Sequence, residues 1–158
     1  MKQLLFTMLT VVALGRCTET TVRSAAETGS PDPLTIRTGT SFGMCVGYCQ
    51  SDYVFNGTNV TLTQNGTRTQ QAPAKSCQAT ITAEEWNALK AVANLDAFSS
   101  QPDTIGCPDC ADGGAEYIEL ETGGRKHRVT FSFNQTIPGF EPLVDAVRAR
   151  REAFKACP

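Results

Sequence analysis

Histidine and tryptophan each occur once in this sequence, as His127 and Trp86. A single imidazole leaves no Ser/His/Asp set and no histidine pair for a zincin helix, and no phosphate-binding glycine motif occurs. An enzyme would have to rely on a carboxylate pair, and no spacing singles one out, so the expectation is a non-enzymatic protein. Also missing is a basic stripe with interleaved aromatics, which excludes nucleic acid from the expected partners. The apolar run from Leu4 to Leu14, broken by Thr7 and Thr10, is too short to cross a bilayer core as a helix.

That run has the length of a signal-peptide apolar region, and Lys2 supplies the positive charge before it. Leu-Gly-Arg-Cys17 resembles the bacterial lipobox, with Arg16 where a small residue is usual. The reading is a signal peptide over 1–16 and a lipidated Cys17. The alternative is simple secretion, with cleavage near Ser24-Ala25-Ala26. Residues 17–33 are rich in Thr, Glu, Ser, Ala, Gly and Pro, with Val22 the only large apolar side chain after Cys17, and read as a flexible tether. A single domain over 34–158 follows, large enough for a core of its own. The expected location is extracytoplasmic, either membrane-anchored through lipid or periplasmic and secreted. Formal net charge is −2, and −4 once the leader's two bases, Lys2 and Arg16, are set aside.

Alternation predicts a strand over Leu34–Thr38 and a hairpin over Asp52–Leu62 about Asn56-Gly57. That turn pairs Phe55 with Thr58 and Tyr53 with Val60, leaving Tyr53, Phe55, Val60 and Leu62 on one face. Gln64–Ser76 is polar, contains Gly66 and Pro73, and reads as a loop. Thr82 caps a helix and Glu85 completes a capping box, with Ile81 and Trp86 as the hydrophobic staple. Helical spacing runs on to Asn94, with Leu95 and Phe98 packing beyond. A second hairpin over Ala115–Phe133 turns at Gly123-Gly124. It pairs Glu121 with Lys126, Glu119 with Arg128, Ile118 with Val129 and Leu120 with His127, with Phe131 and Phe133 continuing the inner face. His127 there reads as a partly buried packing residue. Pro142 opens a last helix whose apolar face runs through Leu143, Ala146, Val147, Arg150 and Phe154. The basic group Arg148, Arg150, Arg151 and Lys155 reads as a solvated face. The fold class is α+β: an antiparallel sheet of four to five strands in the order β-ββ-α-ββ-α, with two helices packed on one face.

Seven cysteines are the chemistry this chain does have. Cys45 and Cys49 stand in one glycine-rich segment, and Cys107 and Cys110 in another. Setting Cys17 aside leaves an even six, and an oxidising compartment makes disulfides of Cys45, Cys49, Cys107, Cys110, Cys77 and Cys157. Cys77 and Cys157 are expected to pair across the ends of two adjacent helices. The remaining four allow three connectivities, left open here. No cofactor is expected on this reading. The alternative is a zinc site, with Cys45, Cys49, Cys107 and Cys110 as four tetrahedral thiolates and His127 as a possible substitute. Cys107-Pro-Asp-Cys110 also has thiol-oxidoreductase spacing, but a strand follows it where a helix is needed. Asp109, Asp112 and Glu116 lack calcium-loop spacing and read as an acidic surface turn. Four Asn-x-Thr sequons, at Asn56, Asn59, Asn65 and Asn134, read as surface composition beside a bacterial-type leader.

The two segments, Ser41-Phe-Gly-Met-Cys-Val-Gly-Tyr-Cys49 and Gly106-Cys-Pro-Asp-Cys-Ala-Asp-Gly-Gly-Ala-Glu116, resemble a family of bacterial envelope proteins and lipoproteins of unassigned activity. They are similar in outline to a broader domain of unknown function that opens on Cys-Phe-Gly-x-Cys-Pro-x-Tyr. The resemblance covers about residues 34 to 150 and implies an envelope location without implying an activity. The expectation is a tethered lipoprotein domain that binds an envelope partner or supports the envelope. The two cysteine loops are expected side by side at one end of the sheet, each directly before a hairpin strand. Tyr48, Asp109 and Asp112 then form the candidate binding patch.

Overall fold

The computed structural model describes residues 34–66 and 72–156. The expected leader, the tether, Cys17 and Cys157 lie outside the described residues.

One seven-stranded sheet forms the scaffold, in the spatial order β4-β3-β2-β1-β6-β7-β5. The strands are β1 (Thr35–Ser41), β2 (Gln50–Asn56), β3 (Asn59–Asn65), β4 (Lys75–Thr80), β5 (Thr104–Ile105), β6 (Ala115–Thr122) and β7 (Arg125–Ser132). Every pairing is antiparallel except β5 with β7. Helices α1 (Ala83–Val92), α2 (Leu95–Phe98) and α3 (Glu141–Ala153) complete the fold. The class is α+β as expected, but the sheet is larger, is mixed, and carries a third, short helix. The extra strands are β4 and β5. Lys75-Ser-Cys-Gln-Ala-Thr80 is polar because it is an edge strand, and β5 is too short to show a period. Gln64 and Asn65 at one end of the expected loop, and Lys75 and Ser76 at the other, are strand residues of β3 and β4, with Gln64 opposite Lys75 and Thr63 opposite Ser76. Cys77 therefore lies within β4, not at a helix end.

The first hairpin turns one residue later than its sequence suggests. Phe55 pairs with Val60 and Tyr53 with Leu62, so the loop is Gly57-Thr58. Gly57 has φ +59° while Thr58 stays at negative φ, the pattern that a type II′ turn demands with glycine first. The shift moves the pairing by two residues, so Tyr53, Phe55, Val60 and Leu62 remain on one face and are all buried. In the second hairpin both turn glycines have positive φ, as a type I′ turn requires, and all four expected pairs form.

Thr82 and Glu85 exchange both hydrogen bonds of a capping box at the start of α1, and Glu85 also meets Arg150 of α3. Trp86, Leu89, Leu95, Phe98, Leu143, Val144 and Val147 form one cluster with Ile36, Phe55, Leu62, Ile118, Leu120, Val129 and Phe131 of the sheet. The three helices thus cover one face, the inner one. His127 is a packing residue there, 18% exposed, edge-on to Phe98 with centroids 5.7 Å apart and Nε2 2.9 Å from the Gln101 carbonyl oxygen. Among the described residues no helix is long and apolar enough to cross a membrane.

The opposite face is polar. Tyr117 crosses over Gly39, its strand partner on β1, where an added Cβ would lie 2.7 Å from the ring. Its hydroxyl donates to Asp52 Oδ1 at 2.8 Å, and Arg128 stacks on the ring at 4.0 Å. Burial, with the hydrogen bond to Asp52 and that carboxylate's charge, pushes the phenol far above its ordinary value, so it stays a donor. Arg128 continues to Glu119 at 2.9 Å, and Arg37 bridges Glu119 and Glu121.

Candidate functional site

Both cysteine segments sit at one end of the sheet. The first loop, residues 42–49, leaves β1 and returns as β2. The second, residues 106–114, runs into β6. Because β1 pairs with β6, with Ser41 opposite Ala115, the loops begin side by side. The expected reason, that the two strands following the loops are neighbours, does not hold. Those strands are β2 and β6, and β1 stands between them.

Each loop closes on itself. Cys45 is bonded to Cys49, with Cα atoms 5.7 Å apart, and Cys107 to Cys110, with Cα atoms 5.5 Å apart. These are the local pairs of the three open connectivities. Cys77 is also disulfide-bonded, while Cys157, its expected partner, lies outside the described residues. A zinc site on Cys45, Cys49, Cys107 and Cys110 would need these sulfurs as free thiolates.

The loops are joined through polar and aromatic contacts. Gly43 N–H donates to Asp109 Oδ1 at 3.2 Å. Asp109 N–H and Phe133 N–H both donate to the Gly114 carbonyl, at 3.0 and 3.1 Å, and Cys107 N–H donates to Ser132 Oγ at 3.0 Å. Phe42 packs edge-on against Phe133 with centroids 4.8 Å apart. Phe42 also lies where any side chain on Gly114 would have to go, and Gly114 has φ +80°. Asp109, Ala111 and Asp112 are all held at positive φ around a 3₁₀ turn, Cys110–Asp112. Of the expected patch, Asp109 therefore ties the loops together, Asp112 shapes the exposed turn, and Tyr48 is 43% exposed on the first loop. Beside Tyr48 the first loop exposes Met44 (77%) and Val46 (87%). Phe133, expected inside, keeps the inner direction but is 38% exposed because β7 ends at Ser132.

Beneath the loops lies a charged cluster that corrects the surface reading of both the acidic turn and the basic helix end. Glu116 is 2% exposed. Its Oε1 accepts from Arg148 Nη2 at 2.7 Å and from Asn134 N–H at 2.9 Å. Its Oε2 accepts from Arg148 Nε at 3.1 Å and from Arg151 Nη2. Arg151, 8% exposed, also donates to Thr38 Oγ1 at 3.2 Å and to the Gly39 carbonyl at 3.1 Å. Arg148 also donates to the Gln135 carbonyl. Burial pushes the Glu116 carboxyl up, but the hydrogen bonds from Arg148, Arg151 and Asn134 outweigh it and hold it below the ordinary carboxylate range.

The sequence carried a signal for this cluster. Glu116 stands in phase with Ile118 and Leu120, hence on the inner face. Arg151 stands two helical steps of four after Leu143. A charged residue in an apolar phase needs a buried partner. Arg150, which the sequence reading placed on that face, instead meets Glu85.

The inner face thus changes character along its length. At the hairpin-turn end it is Ile36, Phe55 and Leu120. At the loop end it is Thr40, Ser51 and Tyr53, and a cleft of about 340 Å³ opens there, walled by Phe133, Arg148 and Lys155. Burial raises the Tyr53 phenol above its ordinary value, against the pull of nearby Arg151 and with Glu152 adding to the rise. Tyr53 therefore stays a protonated donor.

No protein-family model matches the chain, and no curated protein is detectably similar to it.

Proposed function

We propose that this chain is an exported, tethered binding domain whose disulfide-capped end engages a protein partner in the cell envelope. The observation that carries the reading is the exposure of Met44 and Val46 on a loop pinned by Cys45–Cys49. A crosslinked loop loses little backbone freedom on docking, so apolar side chains held out on it favour binding.

The placement of the chain supports the same reading. Residue 34 leads into β1 at the end where Thr35 faces Asn56 and Glu121, beside both hairpin turns. A tether over 17–33, anchored through a lipid on Cys17, attaches there and holds the cysteine loops at the far end, away from the membrane. Paired cysteines on exposed loops suit an oxidising compartment outside the cytoplasm.

The competing use of the second loop is thiol exchange through Cys107–Cys110. Asp109 and Asp112 disfavour it, because carboxylates beside a leaving thiolate oppose its charge, whereas oxidoreductases place that sulfur at a helix N-terminus or beside a cation.

A photo-crosslinking residue at Val46 tests the binding end. It is expected to give one discrete adduct with an envelope protein, abolished by Met44→Asp, while the same probe at Thr58 gives none. Equal labelling from both ends refutes the assignment. Membrane association unchanged in Cys17→Ser removes the lipid anchor from the proposal.

A further inference from the structure

The cleft between α3 and the loop end of the sheet has a charge that its own residues do not balance. Two arginines share one carboxylate, so the Arg148–Glu116–Arg151 cluster carries one positive charge in excess. Glu152 lines the same cleft, but Lys155 lines it too and offsets it, so the lining as a whole keeps one positive charge in excess. Glu152 pairs with Lys155, and the two side chains are 71% and 69% exposed. Excess charge at a largely buried site is costly unless an opposite charge comes near it.

Three further groups lining the cleft, Thr40, Ser51 and Tyr53, carry hydroxyls that can donate. Thr40 and Ser51 are strand partners, so their hydroxyls flank one spot on its floor, and Tyr53 stands beside them. All four lone-pair directions of Glu116 are used by the arginines and Asn134, which leaves that carboxylate unable to accept more. The Phe133 ring forms an apolar wall, fixed edge-on by Phe42. The volume lies at the small end of the range for ligand pockets.

We infer that this cleft binds a small carboxylate carrying an apolar or aromatic body, its charge set against Arg148 and Lys155, its oxygens on Ser51 and Thr40, and its body along Phe133. A single excess charge matches a monoanion better than a phosphate dianion. The carboxylate belongs either to a free acid or to a peptide C-terminus, since both present the same group.

This inference stands apart from the partner bound at the loop tip, and the two fail separately, because crosslinking from Val46 does not involve the cleft. The test is titration of the full-length chain with N-acetylphenylalanine and with N-acetylphenylalaninamide at constant ionic strength, followed by amide NMR. The acid is expected to shift Thr40, Ser51 and Asn134 saturably. The amide is expected to bind about tenfold or more weakly, and Lys155→Glu to weaken the acid by a similar factor, as loss of one charge-assisted contact implies. Lys155 is exposed, so that variant keeps its fold. A hexapeptide ending in a free phenylalanine carboxylate assigns the site to chain termini if it binds more tightly than the acid, and to small acids if it does not. The inference is overturned if acid and amide bind alike, if neither shifts these residues at millimolar concentration, if inorganic phosphate binds more tightly than the acid, or if Lys155→Glu leaves the acid's affinity unchanged.

Discussion

Replacing Glu116 by alanine strands two arginines against the inner face of the sheet. Arg151 keeps Thr38 and the Gly39 carbonyl, and Arg148 keeps the Gln135 carbonyl, but neither retains a counter-charge. Breaking a buried ion pair from one side costs about 3–5 kcal/mol, mostly through the charge left behind. Because the cost arises from the stranded charge, removing a stranded arginine as well should recover part of it. Glu116→Ala/Arg151→Met is therefore expected to be more stable than Glu116→Ala alone. Urea denaturation reads both, followed by the fluorescence of Trp86, the single tryptophan, which is 4% exposed. The pH dependence has a definite sign. Glu116 titrates lower in the folded chain than in the unfolded one, so its stabilisation is complete above the unfolded carboxylate value of about 4.3. It is lost as pH falls through the folded value. The gap between wild type and Glu116→Ala should accordingly be widest at neutral pH and narrow in acid. A loss under about 1 kcal/mol at pH 7, or a gap that widens in acid, would refute the account of this cluster.

Other substitutions probe the scaffold. Phe131 is 1% exposed, and Phe131→Ala is expected to cost about 3–5 kcal/mol in the same denaturation; a loss near zero contradicts its place in the core. Gly114→Ala forces a side chain into positive φ against Phe42, with an expected loss of about 1–3 kcal/mol and altered resonances for Phe42 and Phe133. Thr82→Ala removes the cap of α1 and should cost about 1 kcal/mol, with no change at the loop end. Iodoacetamide should leave Cys45, Cys49, Cys107 and Cys110 unmodified without reductant; alkylation of any of them by peptide mapping would show an unpaired thiol.

Much of the fold was legible because its signals are local. The capping box at Thr82 and Glu85 depends on residues three apart, and the register of the Gly123-Gly124 hairpin depends on a two-residue turn that paired glycines make easily. The Gly57 turn was harder to place, since Asn-Gly and Gly-Thr both form two-residue loops and both keep the apolar residues on one face. Strand β4 was hidden by composition, because an edge strand with one wet face need not look apolar.

The sequence by itself determined the α+β class, the second hairpin's register, the helix start at Thr82 and the two cysteine loops as special segments. Each of these rests on contacts within a few residues or on a repeating phase. Only the tertiary structure decided that Glu116 of β6 meets Arg148 and Arg151 of α3, that Phe42 closes over Gly114, and that a polar cleft opens beneath the loops. Those contacts join residues 32 to 72 positions apart, and their partners are chosen by strand order. Inserting β1 between β2 and β6 brings the cysteine loops to one end. A sequence states the phase of each strand, but which strands become neighbours is settled by how the whole apolar surface is covered at once.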